Sequence, residues 1–486
     1  MFNNLRYNVL KGYTFLAFFV VIFIFINVIV SKNVFPSHID ESAYFSGAKL
    51  FSETNSLKSF SSINEERSII GEYNWYGPSI NYIYGVIAKL IGFNNYYFIV
   101  INFSFFIFSF FIIKLICESW NQFFEFSAVF ISIYISSAFI FTYFPENLIV
   151  FLSIVLLLLY LKAFKNKKSV WIFLLFVLIF SFVRMTLLFW VFGVLFVDFF
   201  KFKHRVGIVV VVFALGLFYM KLFTAPSSIL GLGDVHNSNA NFNILHSIQN
   251  LFKNFMTNLY RLYDRVNSSI FVFLTLLLLS IYGLFENRKN DVKTLLGLLF
   301  IVLISFIAFL FLYSTYWFFF EKQIAFTLPI LIYIIMKLKK QYNVLFLFSV
   351  FIFFPITITK ARDNVINKKL AFVEVEKSSE DIKTINKFRY YLKPKRKEVN
   401  ILFFRQDFKL THDLISSTLP TSFKNIPILY TSSVCDIDAV DSVKFKVHNK
   451  IEIDYCISPK EINLSNFKLV YRNKLINLYK YTKTTK

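Results

Sequence analysis

Two adjacent carboxylates stand just beyond the first long apolar run of the sequence, in the order His38-Ile39-Asp40-Glu41-Ser42-Ala43-Tyr44-Phe45. A charge at such a position loses part of its hydration. Three kinds of chemistry fit the pair. A carboxylate held against a membrane surface has a raised pKa and can act as a general base. It can also ligate a divalent cation that bridges phosphates. The third option is that Asp40 and Glu41 are the N-cap and first-turn acids of an interfacial helix. Spacing alone leaves all three open. Further along, Pro145-Glu146-Asn147 sets another acid at the head of an apolar run, as a site residue or a helix-start carboxylate. Phe182-Val183-Arg184 sets an arginine in a tight turn, where its planar fork can grip phosphate oxygens or snorkel to the interface. Arg261 and Arg265 have Asp264 between them, so surface pairing competes there with phosphate binding. His38, His236 and His246 lack metal-ligand spacing, and no metal is assigned to them.

The elements that must hold these residues are membrane helices. The chain is 56% hydrophobic and 17% charged, where soluble domains carry about 25% charged residues. Runs such as Tyr13–Val30, Phe98–Ile113 and Phe271–Leu284 are almost free of charge, and most approach the roughly 17–25 residues that cross hydrocarbon as a helix. The first run is too long for a signal peptide, lacks a small-residue cleavage site and is followed by many others. The net charge of +23 does not indicate nucleic acid, because Lys and Arg gather between apolar runs instead of forming one stripe. Lys162 to Lys168, Lys201 to Arg205, Arg288 to Lys293 and Lys337 to Lys340 are such gatherings, and Lys114 stands at another span end. Placing them on the cytoplasmic side gives about eleven spans and a cytoplasmic N-terminus. The third span is expected over 126–142 and the last over 343–359. Pro78–Ile91, about 14 residues, is too short to span and reads as an interfacial or re-entrant helix.

The expected fold is thus a mostly α, polytopic membrane protein with about eleven transmembrane helices plus an interfacial helix. Its membrane domain covers 1–359, and a small α+β extracytoplasmic domain covers 360–486. In that second part, Asn400–Phe404, Ile426–Tyr430, Lys450–Ile457 and Lys468–Tyr481 read as strands, and Glu380–Tyr391 as a helix. Cys435 and Cys456 form a disulfide there or remain two thiols, while Cys117 sits at a span end. A Gly-rich phosphate loop is absent from the sequence.

The acidic pair Asp40-Glu41 with Tyr44 after the first span, then Pro78, Tyr82 and Gly92, then Glu146 and Arg184, form an ordered set. This order resembles the GT-C-fold glycosyltransferases, notably the protein O-mannosyltransferase and aminoarabinose-transferase branch. The likeness covers residues 1 to about 200. It implies a membrane enzyme, with Asp40, supported by Glu41, as the catalytic acidic pair; the abundance of Phe, Ile, Asn and Lys points to AT-rich coding and so to a bacterial source and its inner membrane. Its donor would be a polyprenyl-phosphate-linked sugar of the dolichyl or undecaprenyl type, and its acceptor a lipid, glycan or protein on the extracytoplasmic side. Tyr44, Tyr82, Glu146, Arg184, Arg261 and Arg265 are the candidates for substrate contact, with a divalent cation the only candidate cofactor. Membrane lipids, and no nucleic acid, would be the other partners. One departure is Glu321-Lys322-Gln323, where relatives often carry an arginine before the last Pro-containing span, so carrier contacts there stay unassigned.

The rival reading is a polytopic lipid or glycan transporter or flippase. Transporters place ionisable residues within the bilayer and break their helices in pairs, while these runs hold almost no ionisable residues and show no paired breaks. A membrane O-acyltransferase needs an intramembrane histidine, yet all six histidines lie in loops or the C-terminal part. A receptor role leaves the acidic pair unexplained.

Overall fold

The structure is a computed structural model that describes residues 2–32, 34, 36, 39–55, 57, 77–94, 96–133, 137–223, 244–264, 268–286, 292–312, 324–337, 342–377, 401–403, 428–430, 455–458, 461, 467–472 and 477–482. Helix dominates them. In chain order the α-helices are α1 (Phe2–Ser31), α2 (Ile39–Thr54), α3 (Ser79–Ile91), α4 (Tyr97–Ile116), α5 (Trp120–Ser132), α6 (Glu146–Ala163), α7 (Lys167–Ser181), α8 (Phe202–Phe223), α9 (Ile244–Asp264), α10 (Ser268–Glu286), α11 (Val292–Leu312), α12 (Leu328–Lys337) and α13 (Tyr342–Lys377). Short 3-10 stretches occupy Ala138–Phe141 and Ala325–Thr327, and a longer one Met185–Phe196. Residues 1–30 with 99–364 form one compact unit, and residues 31–98 with 365–486 form another.

The first unit holds helices of membrane-spanning length and apolarity. Tyr7–Ser31, Tyr97–Ile116, Glu146–Ala163, Phe202–Tyr219 and Val292–Phe311 are each long and apolar enough to cross a membrane. On α1, Phe15, Leu16, Phe19, Phe23, Ile26 and Val30 are all more than half exposed along one stripe. Water would penalise such a stripe; lipid tails would not. The opposite face, with Leu10, Ala17 and Val21, is buried. Aromatic rings interlock the helices: Phe25 stacks on Phe103 with ring centres 3.9 Å apart, and Phe106 stacks on Phe130 at 5.8 Å.

The span expected over 126–142 is not one helix. α5 stops at Ser132, and Ala138–Phe141 is a separate 3-10 stretch. At the stop the backbone of Ile133 turns extended (φ −81°, ψ 128°), while Ser132 Oγ donates to the Ala128 carbonyl and Ser137 Oγ to the Ile131 carbonyl. The last expected span, 343–359, lies inside the longer α13, which continues through residue 377.

The second unit contains the α2–α3 pair and a sheet. α3 begins after Pro78 and ends at Gly92, whose φ of +86° suits a residue without a side chain. At 13 residues α3 rises about 20 Å, short of the roughly 30 Å of hydrocarbon, as the sequence leads one to expect. The sheet has five strands: β1 (Ile401–Phe403), β2 (Ile428–Tyr430), β3 (Tyr455–Ser458), β4 (Phe467–Arg472) and β5 (Asn477–Tyr481), in the order β2-β1-β3-β5-β4. β1 pairs in parallel with β2 and β3, and β5 pairs antiparallel with β3 and β4. Lys468–Tyr481, read from sequence as one strand, is two antiparallel strands with a register shift between Leu469 and Tyr471. The expected helix at Glu380–Tyr391 and the Cys435 half of the possible disulfide lie outside the described residues.

Candidate functional site

The acidic pair lies in the first turn of α2, where carboxylates favour the positive end of the helix. Glu41 begins a buried face that continues, at helical spacing, through Tyr44, Phe45, Ala48 and Phe51. This face packs on α3 at a distance that two glycines permit. A Cβ on Gly47 would lie 2.4 Å from the Asn81 side-chain nitrogen, and one on Gly85 would lie 2.6 Å from the Phe51 ring. Contacts that short do not occur, so the helices approach this closely only because neither residue has a side chain. Around them, Tyr84 stacks on Phe98 at 4.4 Å, and Phe45 meets the edge of Phe93 at 4.8 Å.

Sequence reasoning missed the partner of Glu41. Lys368, on α13, donates from Nζ to Glu41 Oε2, and the two side chains are 4% and 1% exposed. A buried carboxylate needs such compensation, because desolvating one charge alone is expensive. Lys368 lies 327 positions away in a charged stretch, with nothing in the sequence to mark it. An ammonium therefore stands where a cation would bind at Glu41 Oε2. Among the described residues no group of three His, Cys, Asp or Glu gathers as a ligand set.

The other candidates divide between the units. Tyr44 is buried one turn beyond Glu41. Tyr82 is half exposed on α3, its ring edge-on to Phe51 at 5.2 Å. The backbone of Asp40 belongs to α2, but its side chain lies outside the described residues, as does that of Arg261 on α9. Arg265 lies outside them altogether.

Glu146 and Arg184 belong to the first unit, and topology brings them to one end of it. α6 and α7 pack as an antiparallel hairpin closed by residues 164–166. Glu146 opens the first helix and Arg184 follows the second, so both stand at the end opposite the basic turn of Lys162, Lys165, Lys167 and Lys168. Both are buried, at 1% and 9% exposure. The chain into Glu146 is pinned by Asn102 of α4, whose amide donates to the carbonyls of Thr142 and Phe144, each at 2.9 Å. Arg184 is set by its extended backbone and by its own amide, which donates to the Phe180 carbonyl at 3.1 Å.

Ion pairs mark the other end of this unit. Asp198 receives Lys293 at 2.7 Å and Arg205 at 3.6 Å, tying the heads of α8 and α11 to the end of the Met185–Phe196 stretch. Lys337, at the end of α12, donates to Glu118 at 2.7 Å and holds its carboxyl below the ordinary value. Beside it, burial pushes the Cys117 thiol up to about 12.

The fold defines the class: a polytopic helical membrane protein with a small mixed sheet near its C-terminus. Nothing narrower comes from likeness, since the chain matches no protein-family profile and no characterised protein.

Proposed function

We propose that the protein is an inverting membrane glycosyltransferase that draws a sugar from a polyprenyl-phosphate donor. The observation that carries this reading is the acidic pair in the first turn of a rigidly packed helix directly after the first apolar span. Asp40 is the proposed base. It takes the proton of an acceptor hydroxyl as that oxygen attacks the anomeric carbon, and the bond to the lipid phosphate breaks, leaving its electron pair on the phosphate. Phosphate leaves readily, so no strong general acid is required. A guanidinium close to the departing oxygens would stabilise their growing charge, and Arg184, Arg261 and Arg265 are the candidates. Glu41, neutralised by Lys368, orients the first turn of α2 instead of sharing the proton.

The proposed topology has about eleven spans, a cytoplasmic N-terminus, an extracytoplasmic C-terminal domain and a bacterial inner-membrane location. The ion pairs Lys293–Asp198 and Lys337–Glu118 support it, since each joins helix ends that the charge rule puts on the cytoplasmic side. The transporter or flippase alternative is disfavoured by the buried charges of the α6–α7 hairpin, which lie at its end and not midway along a span.

The test is transfer of label from a panel of radiolabelled polyprenyl-phosphate sugars in membranes containing the wild-type chain or Asp40→Asn. Transfer by the wild type alone supports the reading. Equal transfer by Asp40→Asn removes Asp40 from catalysis and turns attention to Glu41 and Glu146.

A further inference from the structure

α9 is amphipathic, but its buried side is the polar one. Asn254 and Asn258, one turn apart, are both buried. Asn258 donates to the carbonyl of Leu310 at 2.8 Å and Asn254 to that of Phe311 at 3.2 Å. These carbonyls belong to the last turn of α11, where a helix has no further amides of its own to offer. Phe255 adds a ring stacked on Phe311 at 4.6 Å. α9 therefore lies across the end of α11 and caps it with side chains.

The level of that end in a bilayer follows from α11 itself. Near its start, Lys293 forms an ion pair with Asp198, and both side chains are more than 60% exposed, which marks an aqueous boundary. From Lys293 to Leu310 the helix rises about 26 Å at 1.5 Å per residue, close to the roughly 30 Å of the hydrocarbon layer. The end that α9 caps is thus the opposite boundary. There, among the described residues, α9 turns Phe252, Met256, Leu259 and Tyr260 outward at 59%, 65%, 38% and 66% exposure, with Lys253 on the same side.

From this geometry we infer that α9 is an interfacial helix whose outward apolar face is seated in the headgroup–acyl boundary of the bilayer, so that the occupant of the face is membrane lipid. An apolar stripe of this kind buries a few ångströms below the headgroups, and a flanking lysine meets lipid phosphates. The inward asparagines let the helix lie flat without leaving the α11 carbonyls unbonded in hydrocarbon. This inference is independent of the proposed enzymatic activity.

The experiment attaches a nitroxide to Met256→Cys in the full chain, reconstituted in bilayers of phosphatidylcholine with phosphatidylglycerol. Signal from the native cysteines is subtracted using the unsubstituted chain. Collision with oxygen, which concentrates in lipid, is compared with collision with a water-soluble nickel chelate. The inference expects oxygen to dominate severalfold at Met256→Cys, and again at Tyr260→Cys one turn on. Dominance of the nickel chelate would mean that the face meets water, and weak collision with both would mean that protein covers it. Either result overturns the inference. Should Met256→Cys fail to elute as the unsubstituted chain does, Tyr260→Cys alone decides.

Discussion

Lys368 and Glu41 form a buried ion pair across 327 positions of sequence, each side chain less than 5% exposed. Removing one partner takes the ion-pair counter-charge from a buried group, which costs up to about 3–5 kcal/mol. Lys368→Met should therefore lower the melting midpoint of the detergent-purified chain, followed by loss of the monodisperse peak on gel filtration. Adding Glu41→Gln should restore much of that loss. If the double variant loses the sum of the two single losses, the pair is not energetically coupled.

The two acids of α2 should separate by what they lose. Asp40→Asn is expected to cut sugar transfer by about 10²–10⁴ while leaving the melting midpoint in place. Glu41→Gln should lower the midpoint and reduce transfer less. Transfer and melting are measured on the same preparations, and equal loss of transfer without loss of stability in both variants would contradict the separation.

The glycines between α2 and α3 offer a steric test. Gly85→Ala puts a methyl group 2.6 Å from the Phe51 ring, an overpacking that costs about 1–3 kcal/mol. Gly12→Ala, on the exposed face of α1 with nothing within 4 Å, should be neutral or mildly stabilising. The pair of melting midpoints checks both signs.

Acid should weaken one surface tie of the first unit. The Lys337 ammonium keeps Glu118 more acidic in the fold than its ordinary value of 4.5. Such a carboxyl adds stability above its unfolded pKa and loses it as pH falls through the lower folded one. The Glu118 side chain is 74% exposed, so screening limits the pair to at most about 1 kcal/mol. Between pH 7 and pH 3, wild type should lose slightly more melting temperature than Lys337→Gln.

Cys117 should be chemically silent. It is buried, and its thiol is pushed up to about 12, so the reactive thiolate is scarce at neutral pH. Peptide mapping after treatment with a maleimide at pH 7.5 should find Cys117 unmodified in the native protein and modified after denaturation in SDS.

Much of the helical frame was legible because apolar length is a local property. The short α3 could be read from Pro78, Gly92 and the run between them, and three of the strands fall inside the stretches their β-branched and aromatic residues suggest. What escaped was whatever depends on hydrogen bonds to particular groups or on distant partners. The break after Ser132 hides within an apolar stretch, because neither glycine nor proline marks the point where the backbone of Ile133 turns extended. The β4–β5 pair was read as a single strand because Asn473-Lys474-Leu475-Ile476 contains neither glycine nor proline. Of the candidate site, Glu41 was legible as an acid after the first span, but its partner was not. α9 does not stand out as an apolar run, since a polar face turned inward looks, in one dimension, like a face turned to water.

The close seating of Gly47 on Asn81 and of Gly85 on Phe51 also bears on which residues these two positions tolerate. Each helix receives a side chain of the other against one of its glycines, so larger residues at either position would pry the acid-bearing helix from its neighbour.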